Sequence, residues 1–173
     1  IYHKTANFES ARRHYKLALK FDHRHYGALE QRALLEYFMG KRIRAMNLLE
    51  QMILLYPEDD TSIDLYLNMG FVDNRLERIY EFISSIRGVT EFPERNSVVL
   101  GEVEEARHRF DVAAQLYEQA LDVDDFYPLP YFHLAELEMK RGDSIKALQW
   151  AEGYVENSTD NYEGYLLRAQ IND

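Results

Sequence analysis

Apolar positions in this chain recur on a helical period and, above that, on a longer one. Ala11, Ala45, Ile79, Ala113 and Ala147 stand 34 residues apart. Four positions after each come Tyr15, Leu49, Ile83, Tyr117 and Ala151, and three further on Ala18, Met52, Ile86, Ala120 and Tyr154. An i, i+4, i+7 set falls on one stripe of an α-helix, because side chains three or four apart share a face. The stripe predicts a buried helix in every 34-residue unit, with small residues set among large ones so that a neighbour can approach closely. Twelve residues before the markers a second series, Ala33, Leu67, Gly101 and Ala135, predicts a partner helix in each unit.

The breaks between the two helices recur as well. Gly40, Asn74, His108 and Gly142 lie five residues before the markers, and Gly and Asn accept the left-handed backbone that ends a helix. Gly142-Asp143-Ser144 reads as a stop followed by an N-cap, Asp160-Asn161-Tyr162-Glu163 has the spacing of a capping box, and Pro57 supplies a further stop. Read in phase, the chain opens on a helix near 7–21, continues through four complete pairs and closes on a single helix from about 161 to 171. The units run approximately 1–25 (partial), 26–59, 60–93, 94–127, 128–161 and 162–173 (partial). Both ends read as cut within an array, and Ile1 in place of Met marks a fragment or processed product, so a longer parent chain is expected.

These residues resemble the tetratricopeptide repeat, whose signature runs W-x2-L-G-x2-Y, then A-x3-F-x2-A, then P. Leu100, Gly101, Ala113, Tyr117 and Ala120 carry the best match. Tyr26, Leu29, Ala33, Ala45, Leu49, Met52 and Pro57 carry a second, and Tyr131, Leu134, Ala135, Gly142 and Ala147 a third. Residues 60–93 depart most: Ile79, Ile83 and Ile86 replace small residues and Phe92-Pro93 is displaced from the expected stop, so irregular packing is expected there. The resemblance covers the whole chain. It implies an all-α fold, a right-handed superhelical solenoid of antiparallel helix pairs, as a single array over 1–173.

The resemblance also implies that the first helix of each pair lines a concave inner wall, the usual binding surface of such arrays. On that wall fall Glu30, Leu34, Tyr37 and Phe38, then Asp64, Asn68 and Phe71, then Glu102 and Glu105, then Phe132, His133, Glu136 and Lys140. The expected groove is acidic and aromatic. Relatives that clamp the C-terminal carboxylate of chaperones place Lys, Arg and Asn at such positions, whereas Glu30 and Asp64 stand at matching sites here, which argues against that role. Among the aromatics, Tyr15, Tyr117 and Phe110 fall on packing stripes, while Tyr37, Phe71, Tyr131 and Phe132 are better placed for ligand contact.

Composition narrows the chemistry. Hydrophobic residues make up 46% and charged residues 29%, with only 8 Gly and 4 Pro, so the chain is expected to fold rather than stay disordered. Without cysteine it has no disulfide, thiolate zinc site or cysteine nucleophile. No zinc-protease, phosphate-loop, dinucleotide or hydrolase-elbow motif occurs. The six histidines are scattered, and the nearest cluster, Asp22-His23-Arg24-His25, has a spacing that does not put both imidazoles on one helical face. Neither a catalytic centre nor a metal or cofactor site is expected. Apolar runs such as Met52 to Tyr56 are far short of the ~20 residues that cross a bilayer, and the compartment, cytoplasmic or periplasmic, stays open.

The net charge of −10 is unevenly spread. Residues 1–56 hold ten Lys and Arg against five Asp and Glu, whereas residues 57–173 hold ten against 25. The acidic part suits a partner of basic character and repels nucleic acid; the basic end suits an acidic partner or a second copy in head-to-tail association. The leading expectation is a non-catalytic scaffold for protein–protein interaction that binds a peptide or folded partner within a larger assembly. The alternative is a module similar to tetratricopeptide arrays of bacterial envelope polysaccharide export, recruiting a glycan-modifying enzyme or a cationic polymer. A third reading, an RNA-binding helical repeat using the basic first 56 residues, is disfavoured by the charge of the rest.

Overall fold

A computed structural model describes residues 8–87, 92–159 and 162–172. Among these residues there are ten helices and no strand: α1 (Phe8–Phe21), α2 (Tyr26–Phe38), α3 (Arg42–Leu55), α4 (Asp60–Val72), α5 (Leu76–Ile86), α6 (Pro93–Ala106), α7 (Phe110–Val123), α8 (Pro128–Arg141), α9 (Ser144–Asn157) and α10 (Tyr162–Asn172). The chain divides into two compact units, Ile1–Phe82 and Ile83–Asp173. In the first, α1 packs on α2, α2 on α3 and α3 on α4; in the second, α6 on α7, α7 on α8, α8 on α9 and α9 on α10. Helices so closely joined and packed on one another must run antiparallel.

The marker stripe is the core. Ala11 is 1% exposed, and Ala45, Ile79, Ala113 and Ala147 are fully buried. In the second unit Val98, Ala113, Tyr117, Ala120, Leu134 and Leu137 form one cluster, and Ala135, Ala147, Ala151, Leu167 and Ile171 another. Small residues at the crossings let helix axes approach, and the large neighbours fill the remaining space at the density of a protein interior.

All four predicted breaks take the left-handed conformation: φ is 74° at Gly40, 51° at Asn74, 59° at His108 and 80° at Gly142. Each turn closes with the same two hydrogen bonds. The N–H groups of Gly40, Asn74, His108 and Gly142 donate to the carbonyls of Tyr37, Phe71, Glu105 and Met139. Those of Lys41, Arg75, Arg109 and Asp143 donate to Glu36, Gly70, Glu104 and Glu138 at 2.7–2.9 Å. This is the Schellman arrangement, which satisfies the last carbonyls of a helix and reverses the chain. Asp143 then caps α9 by accepting from the N–H of Lys146, and Asp59 caps α4 by accepting from Ser62.

The residues that begin three of these closing bonds are buried acids. Glu36, Glu104 and Glu138 follow one another at 68 and 34 residues and are 0%, 2% and 8% exposed. A carboxylate seldom leaves water unpaired. Glu36 meets Arg12 Nε at 2.6 Å, Glu104 meets Arg107 at 2.6 Å and Arg109 at 3.2 Å, and Glu138 meets Arg141 at 2.7 Å.

The divergent repeat fits by a change of volume. Its fourth member of the acid series is Gly70, where a Cβ would lie 2.5 Å from Ile79 Cδ1. The isoleucine that replaces the marker alanine fills the space that a side chain at position 70 would need. Pro93 corrects the sequence reading: it is no stop but stands in the first turn of α6, where a residue without N–H costs no intrahelical bond. The α10 capping box involves Asp160 and Asn161, which lie outside the described residues.

Candidate functional site

In the second unit the first helices of two successive pairs, α6 and α8, turn polar faces toward one recess of about 450 Å³. Glu102 and Glu105 project from α6 with i, i+3 spacing, and His133, Glu136 and Lys140 from α8 with i, i+3, i+7 spacing, so each set holds one face. Ala106, His108 and Phe110 close the end at the α6–α7 turn.

Behind two of the lining residues lies Tyr117, which is fully buried. Its ring stacks on His133 with centroids 4.9 Å apart and planes at 12°, and its hydroxyl donates to Glu105 Oε2 at 3.1 Å. Gly101 makes this possible, because a Cβ there would overlap the tyrosine ring. Burial, followed by the charges of Glu105, Glu102 and Glu136, pushes the phenol well above its ordinary pKa, so Tyr117 stays a hydrogen-bond donor.

The carboxylates differ in how far they are satisfied. Glu105 also binds Lys140 Nζ, and Glu102 Oε1 lies 3.2 Å from His133 Nε2. The side chain of half-buried Glu136 has neither a hydrogen bond nor an ion pair among the described residues. Three carboxylates against one lysine leave the recess acidic. Phe110 corrects the sequence reading: the packing stripe claimed it, yet it is 37% exposed and lines the recess, its ring 5.9 Å from that of His108. It is the first residue of α7, too near the turn to follow the inward register of the stripe.

Five of the thirteen predicted site residues meet here: Glu102, Glu105, His133, Glu136 and Lys140. Phe132 is half-buried, packs beside the Ala135 cluster with its ring 5.5 Å from Tyr154, and does not line the recess. Tyr131 is taken up by structure, its ring over Gly153 and its hydroxyl donating to the Asp125 carbonyl at 2.8 Å. In the first unit Glu30, Leu34, Tyr37 and Phe38 lie along α2 and Asp64, Asn68 and Phe71 along α4. Tyr37 is covered by the Arg42 guanidinium, 3.8 Å above its ring, while Phe38 is 68% exposed. A recess of this unit at residues 40–44 includes none of the seven.

Helix pairs repeated on one period and closed by one kind of turn define a helical-repeat protein. Among solved structures the chain is similar to TTC0263, a thermophilic tetratricopeptide-repeat protein of Thermus thermophilus, at 18% identity and a TM-score of 0.66 over 98% of this chain and 92% of that one. It is similar to PilF of Pseudomonas aeruginosa at 19% identity and a TM-score of 0.62, over 98% and 78%. It is also similar to MamA at 16% identity and a TM-score of 0.58, over 90% and 91%. No family model and no curated protein matches the sequence. The fold is therefore that of the tetratricopeptide repeat.

Proposed function

We propose that the chain is a non-catalytic scaffold for protein–protein interaction and that the recess between α6 and α8 takes a cationic side chain of a peptide or folded partner. The observation that carries this reading is Glu136, a carboxylate without an ion pair among the described residues, set beside Glu102 and an exposed aromatic ring. A lysine or arginine entering the recess would find Glu136 free to pair with it, beside the exposed ring of Phe110. Helices hold these groups in place before the partner arrives, which limits the ordering cost of binding.

The test is a titration of the protein with Arg- and Lys-rich peptides at fixed ionic strength, beside acidic and neutral peptides of equal length. Basic peptides should bind selectively, and Glu136→Lys should weaken them about tenfold, or ~1.4 kcal/mol. Equal affinity for all three charge classes, or indifference to Glu136→Lys, would sink the reading. Acetylated and deacetylated oligosaccharides in the same titration decide whether a cationic sugar polymer uses the site instead.

A further inference from the structure

Two periods before the α6–α7 turn, the α2–α3 turn forms a recess of about 360 Å³ lined by Gly40, Lys41, Arg42, Ile43, Arg44 and Arg75. The counterpart at residues 108–112, a recess of about 310 Å³, holds Arg109 and Arg141. There the cations are neutralised within the fold: Arg109 binds Glu104, and Arg141 binds both Asp111 and Glu138. In the first unit only two of the four are. Arg42 is fixed by Asp73 at 3.2 Å, by the Tyr37 carbonyl at 2.8 Å and by the Tyr37 ring, and Lys41 lies 3.6 Å from Glu9. The side chains of Arg44 and Arg75 are exposed and have no hydrogen bond or ion pair among the described residues. Four cations thus converge against two carboxylates.

We propose that this recess binds a phosphate-type dianion, the group whose charge matches the two uncompensated arginines. Guanidinium groups favour such oxyanions because two parallel N–H donors match two of their oxygens. Arg42, held by Asp73 and Tyr37, forms a fixed wall, and Arg44 and Arg75 supply the exposed guanidinium groups that take the ligand. The site is separate from the acidic recess of the second unit and stands whether or not that one binds basic partners.

The experiment follows backbone amide and arginine Nε–H signals of the whole chain by NMR, with inorganic phosphate, a phosphoserine peptide and an equally charged polyglutamate peptide added at constant ionic strength. Saturable shifts at Lys41, Arg44 and Arg75 are expected with phosphate and the phosphopeptide. Tighter binding of the phosphopeptide would identify a modified protein as the source, and equal binding the free ion. Arg44→Ala with Arg75→Ala should weaken either at least tenfold while leaving the circular dichroism melt unchanged, since neither side chain makes a structural bond. Absence of saturation, equal shifts with chloride, preference for polyglutamate over phosphate, or unchanged binding by the double variant would overturn the assignment.

Discussion

At residues 40–44 and 108–112 the chain makes the same turn twice. Both have a left-handed residue, both close on the same two carbonyl positions, and both place a buried glutamate at the start of the closing bond. Where the first turn has Gly40, Arg42 and Arg44, the second has His108, Phe110 and Val112. The recess at the first turn consequently presents Arg44 and Arg75, which have no ion pair among the described residues, while the second faces an acidic recess and pairs its cations internally. Backbone geometry and the buried stripe specify the fold, and residues at the rim are free to change sign without disturbing the packing within either unit.

The largest effect should come from the two buried acids. Glu36 is wholly enclosed and ties α1 to α2 through Arg12, whereas one partner of Glu104, Arg109, is mostly in water. Glu36→Ala should cost about 3 kcal/mol, the range for breaking a buried pair, and Glu104→Ala about half as much. Urea denaturation of both variants checks the order, and a reversed order would break the comparison.

Next comes the crossing of each pair. Ala33 and Gly101 are equivalent positions, and Gly101 lies under the ring of Tyr117, whose own equivalent in the earlier unit is Leu49. Gly101→Ala should destabilise by about 1–3 kcal/mol through overpacking. Ala33→Gly should cost about 1–2 kcal/mol, through helix propensity and the loss of a buried methyl. Near-ultraviolet circular dichroism should change only for the first, which displaces Tyr117.

Smaller still, and opposite in sign, is the turn itself. His108 holds φ at 59° without glycine's freedom, so His108→Gly should stabilise by about 1 kcal/mol and Gly40→Ala should destabilise by a similar amount. Thermal midpoints moving the same way in both variants would contradict the shared geometry.

The smallest effect concerns acid. Burial pushes the Asp59 carboxyl up, but hydrogen bonds from Ser62 and Tyr26 outweigh it and hold its pKa below the usual carboxylate range. Stability from this cap is present above the ordinary aspartate pKa and is lost as the pH falls through the depressed folded value. Asp59→Asn should therefore flatten the decline of stability below about pH 4, as chemical denaturation across that range would show.

Much of the fold could be read because the 34-residue period, the stripe and the left-handed breaks are all local patterns: one residue type or spacing suffices for each. The acid series was missed, although the same period applied to charged residues places Glu36, Glu104 and Glu138 in register. Their burial depends on arginines that arrive from different distances, 24 residues earlier for Arg12 and five later for Arg109, and spacing alone does not reveal that. The exchange of Gly70 against Ile79 was hidden for a similar reason: each residue looks like a defect until the other is placed beside it. At the recess, α6 and α8 supplied legible faces, but Phe110 required the turn geometry.

Tyr117 belongs to the core and also holds two residues of the acidic recess, Glu105 and His133. A guest that draws Glu105 or Glu102 toward itself must act on the hydroxyl and the stacked imidazole that bind this ring, so its arrival is transmitted into the packing of α6 on α7. Occupancy should raise the unfolding temperature as guest concentration rises, so a thermal melt would report whether the recess is filled.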